Sequence, residues 1–204
     1  MEAYYELRAS EYDDWYLGTG RFAARDRPGF RREVDDVAVV LASLPPARTL
    51  DVGCGTGFVS RHLPGEVIGA DRSVGMLRIA RTRLTGPTVC TDALRLPFRA
   101  GSVDRIFAGH VYGHLTADRA RAFVAEAFRL APELLIIDSV ARADVEPEEV
   151  QDRVLNDGSS HAVYKRYFVP GQLVAELGSG HTLFDGRWFA LVHARRSAEF
   201  ERLG

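Results

Sequence analysis

Apolar and polar positions alternate in blocks along this chain, and the blocks follow two different periods. Short, nearly continuous apolar runs occur at 48–52 (RTLDV), 66–71 (EVIGAD), 87–92 (PTVCTD), 103–110 (VDRIFAGH) and 133–140 (ELLIIDSV). Between them lie stretches with helical spacing. Residues 73–84 open on Ser73 as an N-cap and set Met76, Leu77, Ile79, Ala80 and Leu84 mostly on one face, and 116–130 open on Thr116 with Phe123, Ala127 and Leu130 inward. Upstream, 35–44 (DDVAVVLASL) has the same spacing and stops before Pro45-Pro46, which cannot continue a helix. Strands covered on both faces read as continuous apolar runs, so this order predicts an α/β fold: a doubly wound, mostly parallel sheet with helices on both faces. Two strand-like runs within 181–196, split by Asp185-Gly186, predict an antiparallel hairpin at the C-terminal end. The polar stretch 141–161 reads as a long insertion after a strand.

Length and composition narrow this picture. With 204 residues and 46% hydrophobic content, the chain is expected to form one domain. Within it, 1–45 would supply N-terminal cap helices, 46–140 the core, 141–180 an insertion and helix beside the substrate, and 181–204 the terminal hairpin. A net charge of −2 provides no bulk basic field, which argues against a nucleic-acid partner. Lys165 is the only lysine among 26 basic residues. Two cysteines, Cys54 and Cys90, are too few for a disulfide framework or a four-ligand zinc site, so a reducing cytoplasm is the default expectation and no metal is expected. The acidic, aromatic N-terminus lacks a basic region followed by an apolar run, and no stretch approaches the roughly 20 apolar residues that span a bilayer.

The candidate chemistry lies in 48–60, RTLDVGCGTGFVS, directly after the first predicted strand, where open α/β sheets bind ligands. A dinucleotide fingerprint needs a third glycine where Phe58 stands, and a phosphate-binding P-loop needs a lysine that this half of the chain lacks. Instead LDVGCGTG resembles motif I of the class I S-adenosylmethionine (SAM) dependent methyltransferases, of the small-molecule, type 11-like kind. That resemblance implies a Rossmann-like fold and SAM as the donor, with S-adenosylhomocysteine (SAH) as product. It implies that Gly53, Cys54 and Gly55 bring the backbone against the methionine part, with Asp51 meeting the SAM amino group directly or through water. Two later segments resemble the family's next landmarks. In 67–81 (VIGADRSVGMLRIAR), Asp71 would hold the ribose hydroxyls beside Arg72, and Met76 would pack on adenine. In 89–110, Asp92 would accept from the adenine amino group and Ala93 would offer its backbone amide.

The resemblance also places the methyl acceptor after the fourth strand, at 108–116 (AGHVYGHLT), where His110 is the first candidate base and His114 the second. The N-terminal YYELRASEYDDWY resembles a cap helix whose aromatic closes over SAM: Tyr12 first, then Tyr5, with Tyr4 and Trp15 equally suited to packing the helix on the sheet. The basic stretch 21–33 could bind an anionic substrate or serve as solvated surface, and His161, Tyr164, Lys165 and Arg166 could read a polar or acidic acceptor. The expectation is O- or N-methylation of a small organic acceptor. An RNA or protein methyltransferase, or a SAM-binding protein without transfer activity, would share the donor motifs.

Overall fold

The protein is described as a computed structural model covering residues 2–196. Among these residues nine strands form, in chain order β1 (Ala47–Val52), β2 (Gly65–Asp71), β3 (Thr88–Cys90), β4 (Arg105–Gly109), β5 (Glu133–Ser139), β6 (Glu148–Val154), β7 (Ser160–Arg166), β8 (His181–Asp185) and β9 (Phe189–Arg195). Seven make one sheet in the order β3-β2-β1-β4-β5-β9-β8. The first five are parallel, and the β8–β9 hairpin closes the edge antiparallel, as the Asp185-Gly186 signal predicted. Strand order reverses between β1 and β4, and the crevice beyond their carboxyl ends is where such a sheet takes its ligands.

Among the described residues six α-helices flank the strands: α1 (Glu2–Arg8), α2 (Asp14–Leu17), α3 (Phe30–Ala42), α4 (Val74–Ala80), α5 (Ala117–Leu130) and α6 (Pro170–Glu176). Alternate strand side chains separate into two cores. Leu50, Val52, Ile106, Ala108, Leu134 and Ile136 pack with α5 and α6, whereas Val67, Phe107, Leu135 and Ile137 pack with α3 and α4. The charged strand-end residues are thereby left at the rim of the sheet. Ser73 caps α4 as expected, its hydroxyl accepting from Met76 N at 3.0 Å. Thr116 precedes α5 but its hydroxyl makes no capping bond.

Two features depart from the sequence reading. The connection between parallel β1 and β2 is only residues 53–64, with a single 3-10 turn at Ser60–His62 where a crossover helix is usual. Here Tyr16 of α2 stacks on Phe58, with ring centroids 4.5 Å apart, so the N-terminal segment covers this short crossover. The polar stretch 141–161 is not a plain insertion: it holds β6 and the start of β7, an antiparallel pair forming its own small sheet. A parallel bridge between Val140 and Phe168 ties that hairpin to the end of β5.

The N-terminal helices are fastened over the crevice by polar bonds. Glu6 accepts from the Ser73 hydroxyl at 2.6 Å and from Gly75 N at 3.0 Å, and Asp13 accepts from the Thr56 hydroxyl at 2.6 Å while pairing with Arg83 at 2.7 Å. Glu11 accepts from Asn156 N at 3.0 Å in the β6–β7 turn.

Candidate active site

A cavity of about 660 Å³ opens at the reversal of strand order, within the size range of small-ligand sites. One end is built from the β1, β2 and β3 strand ends. Gly53 and Gly55 adopt φ of +70° and +53°, which side-chain-bearing residues rarely do. A Cβ on Gly53 would come within 2.2 Å of Val111 Cγ2, and one on Gly55 within 3.3 Å of the Tyr12 ring. The loop therefore runs between Val111 and Tyr12. The neighbour excluding a side chain at Gly55 is the very aromatic expected to cover the donor.

Behind this loop Asp51 is buried, and its Oδ1 has no hydrogen-bond partner. Burial raises its pKa to about 7, opposed by the Ser60 hydroxyl beside it and reinforced by the nearby Asp71 charge. Asp71 accepts from Gly55 N at 2.8 Å and from Ser73 N at 2.9 Å. Burial raises its pKa too, opposed by these backbone donors. Asp92 accepts from Leu94 N at 2.8 Å and faces Arg72 at 3.5 Å. Gly53, Gly55, Asp71, Arg72, Met76, Asp92, Ala93 and Tyr12 all border the cavity. Asp51 and Cys54 do not border it. The Cys54 thiol is buried against the Gly69 and Leu84 side of the loop, so only the main chain of that residue can face a ligand. An orphaned carboxylate oxygen behind a close-approach glycine loop, followed by two more strand-end carboxylates, fits a ligand carrying an ammonium group and a vicinal diol.

The other end is aromatic and basic. His114 Nδ1 lies 2.6 Å from the Tyr164 carbonyl, which can only accept, so Nδ1 carries the proton and Nε2 accepts from the Tyr5 hydroxyl at 3.0 Å. Both nitrogens are committed. Burial, reinforced by Lys165 and Arg153, lowers the His114 pKa to about 3. His110 sits at φ +59°, the only non-glycine residue with positive φ among those described. Its ring is enclosed edge-on by Trp15 and Phe189, its Nδ1 lies 3.8 Å from Asp138, and its buried Nε2 has no partner. Burial lowers its pKa, Asp138 opposes, and Lys165 and Arg153 add to the lowering.

Asp138, at the end of β5, is the hub that sequence reasoning missed. It forms a buried ion pair with Lys165 of β7 and accepts from Gly113 N at 2.7 Å and Ser139 N at 2.8 Å. Burial alone would raise its pKa, but the ammonium beside it holds the carboxylate well below the ordinary range. A charge inside the otherwise apolar run ELLIIDSV was the available signal. Of the four residues expected to read the acceptor, only Lys165 reaches the cavity. His161 packs on Tyr4 and hydrogen-bonds Ser159, Tyr164 offers its carbonyl to His114, and Arg166 pairs with Glu176. The basic stretch 21–33 divides: Arg21, Arg25 and Arg27 border the cavity, while Arg31 and Arg32 pair with Asp35 and Asp36 along α3.

With this geometry in place, residues 50–133 match the family model described as a methyltransferase domain. The chain is therefore similar to that domain over its central part, from within β1 to the start of β5. A malonyl-acyl-carrier-protein O-methyltransferase of Legionella pneumophila is 38% identical over 77 residues, which is 33% of this chain and 27% of that protein. A protein of the same name from Methylovorus sp. is 29% identical over 171 residues, 75% of this chain and 57% of its own length. The chain thus aligns with well under two thirds of these curated relatives. Among solved structures, DhpI in complex with SAH superposes with a TM-score of 0.73 at 24% identity, covering 97% of this chain and 95% of that one. Magnesium protoporphyrin IX methyltransferase of Synechocystis PCC 6803 superposes at 0.63 and 19% identity, covering 96% and 95%. At these identities the superpositions establish a shared methyltransferase fold. Among the described residues no His, Cys, Asp and Glu cluster could hold a metal ion, and no helix is long and apolar enough to cross a membrane.

Proposed function

We propose that this protein transfers a methyl group from SAM to an oxygen or nitrogen of a small organic acceptor. The observation that carries this reading is that one cavity is bordered by the motif residues at one end and by Tyr5, His110 and Lys165 at the other, so donor and acceptor can meet inside it. In this assignment Asp71 holds the ribose hydroxyls, Asp92 and Ala93 the adenine edge, Met76 an adenine face, and Tyr12 covers the donor against the Gly53–Gly55 turn. Asp51 acts from behind that turn on the donor's ammonium group through water or through its charge, and Cys54 contributes main chain alone. SAM brings the activated methyl. The chain's own residues bind, orient and exclude water.

For an acceptor that must lose a proton, His110 is the available base, because its Nε2 is uncommitted whereas His114 uses both nitrogens to hold Tyr5 and the β7 backbone. An acceptor that arrives ionised needs no base. The O-methyltransferase names among the relatives favour oxygen, and a dTDP-amino-sugar N,N-dimethyltransferase of Streptomyces fradiae, 34% identical over 122 residues, keeps nitrogen open. Incubating the protein with methyl-labelled SAM and a small-metabolite fraction, and separately with total RNA, tests the reading. Label should pass to the small-molecule fraction. Transfer to RNA alone would replace a small acceptor with a macromolecular one.

A further inference from the structure

The cavity is more basic than the protein. Nine Arg and Lys side chains border it against five Asp and Glu, in a chain whose net charge is −2. SAM does not account for this excess, since its sulfonium and ammonium groups outnumber its single carboxylate. Both carboxylates assigned to the donor, Asp71 and Asp92, lie with the glycine loop beside Arg72 and Arg8, whereas Arg153 and Lys165 lie with His110 and His114.

Arg153 stands out among these cations. It projects from the half-buried face of β6, which also carries Glu149 and Gln151. Its Nε and Nη2 both donate to Gln151 Oε1, at 3.1 and 2.9 Å, so its fork is aimed by a neutral amide. Gln151 is held in turn by the Tyr167 hydroxyl and Glu149, each at 2.7 Å. Among the described residues no carboxylate pairs with Arg153. A second guanidinium, that of the buried Arg8, donates to the Tyr4 hydroxyl at 2.9 Å, and the Arg153 guanidinium carbon lies 5.9 Å from the same ring's centroid. Arg8 also lies 4.9 Å over the Tyr12 ring, on the side of the glycine loop. Arg8 is therefore suited to the donor's carboxylate, and Arg153 is left facing the acceptor end. The acid beside that end, Asp138, is already neutralised by Lys165. Even a half-buried guanidinium is unfavourable without a counter-charge, and a bound anion relieves it.

We infer that the methyl acceptor enters as a small oxyanion, a carboxylate or a phosphorus-acid oxyanion, clasped by the Arg153 guanidinium. With the Nε edge held by Gln151, the Nη1–Nη2 edge of this half-buried guanidinium is the one that suits the paired oxygens of either group. The inference rests on the donor reading above and adds the acceptor's chemical class. It also explains why the site lacks a strong base: an ionised oxygen needs none, and His110 then forms a wall that excludes water.

The test uses SAH-saturated protein titrated with malonate, with methylphosphonate and with the neutral malonamide, read by calorimetry and by fluorescence of Trp15 and Trp188, both in the cavity wall. Malonate or methylphosphonate should bind at one site and malonamide should not. The better of the two anions names the acid. Arg153→Gln should weaken that anion about tenfold or more, the loss of a charge-assisted contact, with SAH affinity within about twofold of wild type. Arg153→Lys, which keeps charge without the fork, should recover only part. Unchanged anion affinity in a folded Arg153→Gln variant, equal binding of malonamide, or no anion binding at all overturns the inference. Loss of SAH affinity in Arg153→Gln also overturns it, by moving this arginine to the donor's carboxylate. Failure of SAH to bind the wild type would strike the donor reading instead, and the same anion titrations without SAH would still read the Arg153 site.

Discussion

The two ends of the cavity are made from different material. Apart from its cover, Tyr12 and Arg8, the end assigned to the donor is assembled within about forty residues, from backbone turns at Gly53 and Gly55 and from carboxylates held by main-chain N–H groups at 2.8–2.9 Å. The end assigned to the acceptor collects side chains from α1, the segment after β4, β5, β6 and β7, and its anchors are the Tyr5–His114 hydrogen bond and the Asp138–Lys165 ion pair. A backbone-built end keeps its shape through the sheet itself. A side-chain-built end can change its occupant when a few residues change, so donor recognition and acceptor choice are physically separable in this fold.

Breaking the ion pair should have the largest effect. Lys165→Met leaves a buried, uncompensated Asp138 carboxylate and should cost about 3–5 kcal/mol in denaturant unfolding, with Asp138→Asn in the same chain recovering much of the loss. A loss under about 1 kcal/mol would show that the pair is not the anchor of the acceptor end. At the donor end, Asp71→Ala removes a carboxylate assigned to two hydroxyls and should weaken SAH by about 1.5 to 3 kcal/mol, ten- to more than a hundredfold by calorimetry. Because Asp71 also accepts from Gly55 and Ser73, the variant should melt earlier as well. Normal SAH binding with only a lower Tm would make Asp71 a loop cap.

That the glycine loop and the acidic strand ends border one cavity was legible in the sequence, since the signals are local: a glycine spacing after an apolar run, then acidic residues closing the next two runs. The sheet was legible for the same reason, as every parallel strand overlaps one of the five apolar runs. The β6–β7 hairpin was hidden because its inward face is Glu149, Gln151 and Arg153, so no apolar alternation marks it. Asp138 and Lys165 meet across 27 positions, and Arg153 lies near Tyr4 and Tyr5 across nearly 150, contacts that no local pattern encodes. The ranking of His110 over His114 comes from the family resemblance, and its physical ground, which ring nitrogens are occupied, lies in contacts with Tyr5 and Tyr164 far along the chain.

Smaller effects sharpen the contrast. Burial raises Asp51 from 3.8 to about 7, so between these values the folded state holds a proton that the unfolded state has released. Stability therefore falls as pH rises through this window and levels off above about 7. Asp51→Asn should be progressively more stable than wild type from about pH 4 to 7, with a constant advantage beyond, in urea unfolding at a series of pH values. The same variant should bind SAH more weakly at pH 8, and wild-type SAH binding near pH 7 should release a fraction of a proton, seen in buffers of different ionisation heat. Equal SAH affinity in both proteins would confine Asp51 to a structural role. Smallest of all, Tyr5→Phe removes the donor to His114 Nε2 and should cost about 1–2 kcal/mol in unfolding while leaving SAH affinity nearly unchanged. An equal loss of SAH affinity would show that the two ends are coupled.

The central claim, that the glycine loop and the strand-end carboxylates form a SAM site, is tested most directly by calorimetric titration of SAH into wild type and Gly55→Val. Position 55 has φ +53°, and any Cβ there is pressed to 3.3 Å from the Tyr12 ring. A valine must displace the turn or the ring that covers the donor. The expected result is one SAH per wild-type chain and no measurable binding to a Gly55→Val variant whose circular dichroism shows an intact fold. Unchanged SAH affinity in that folded variant would contradict the account.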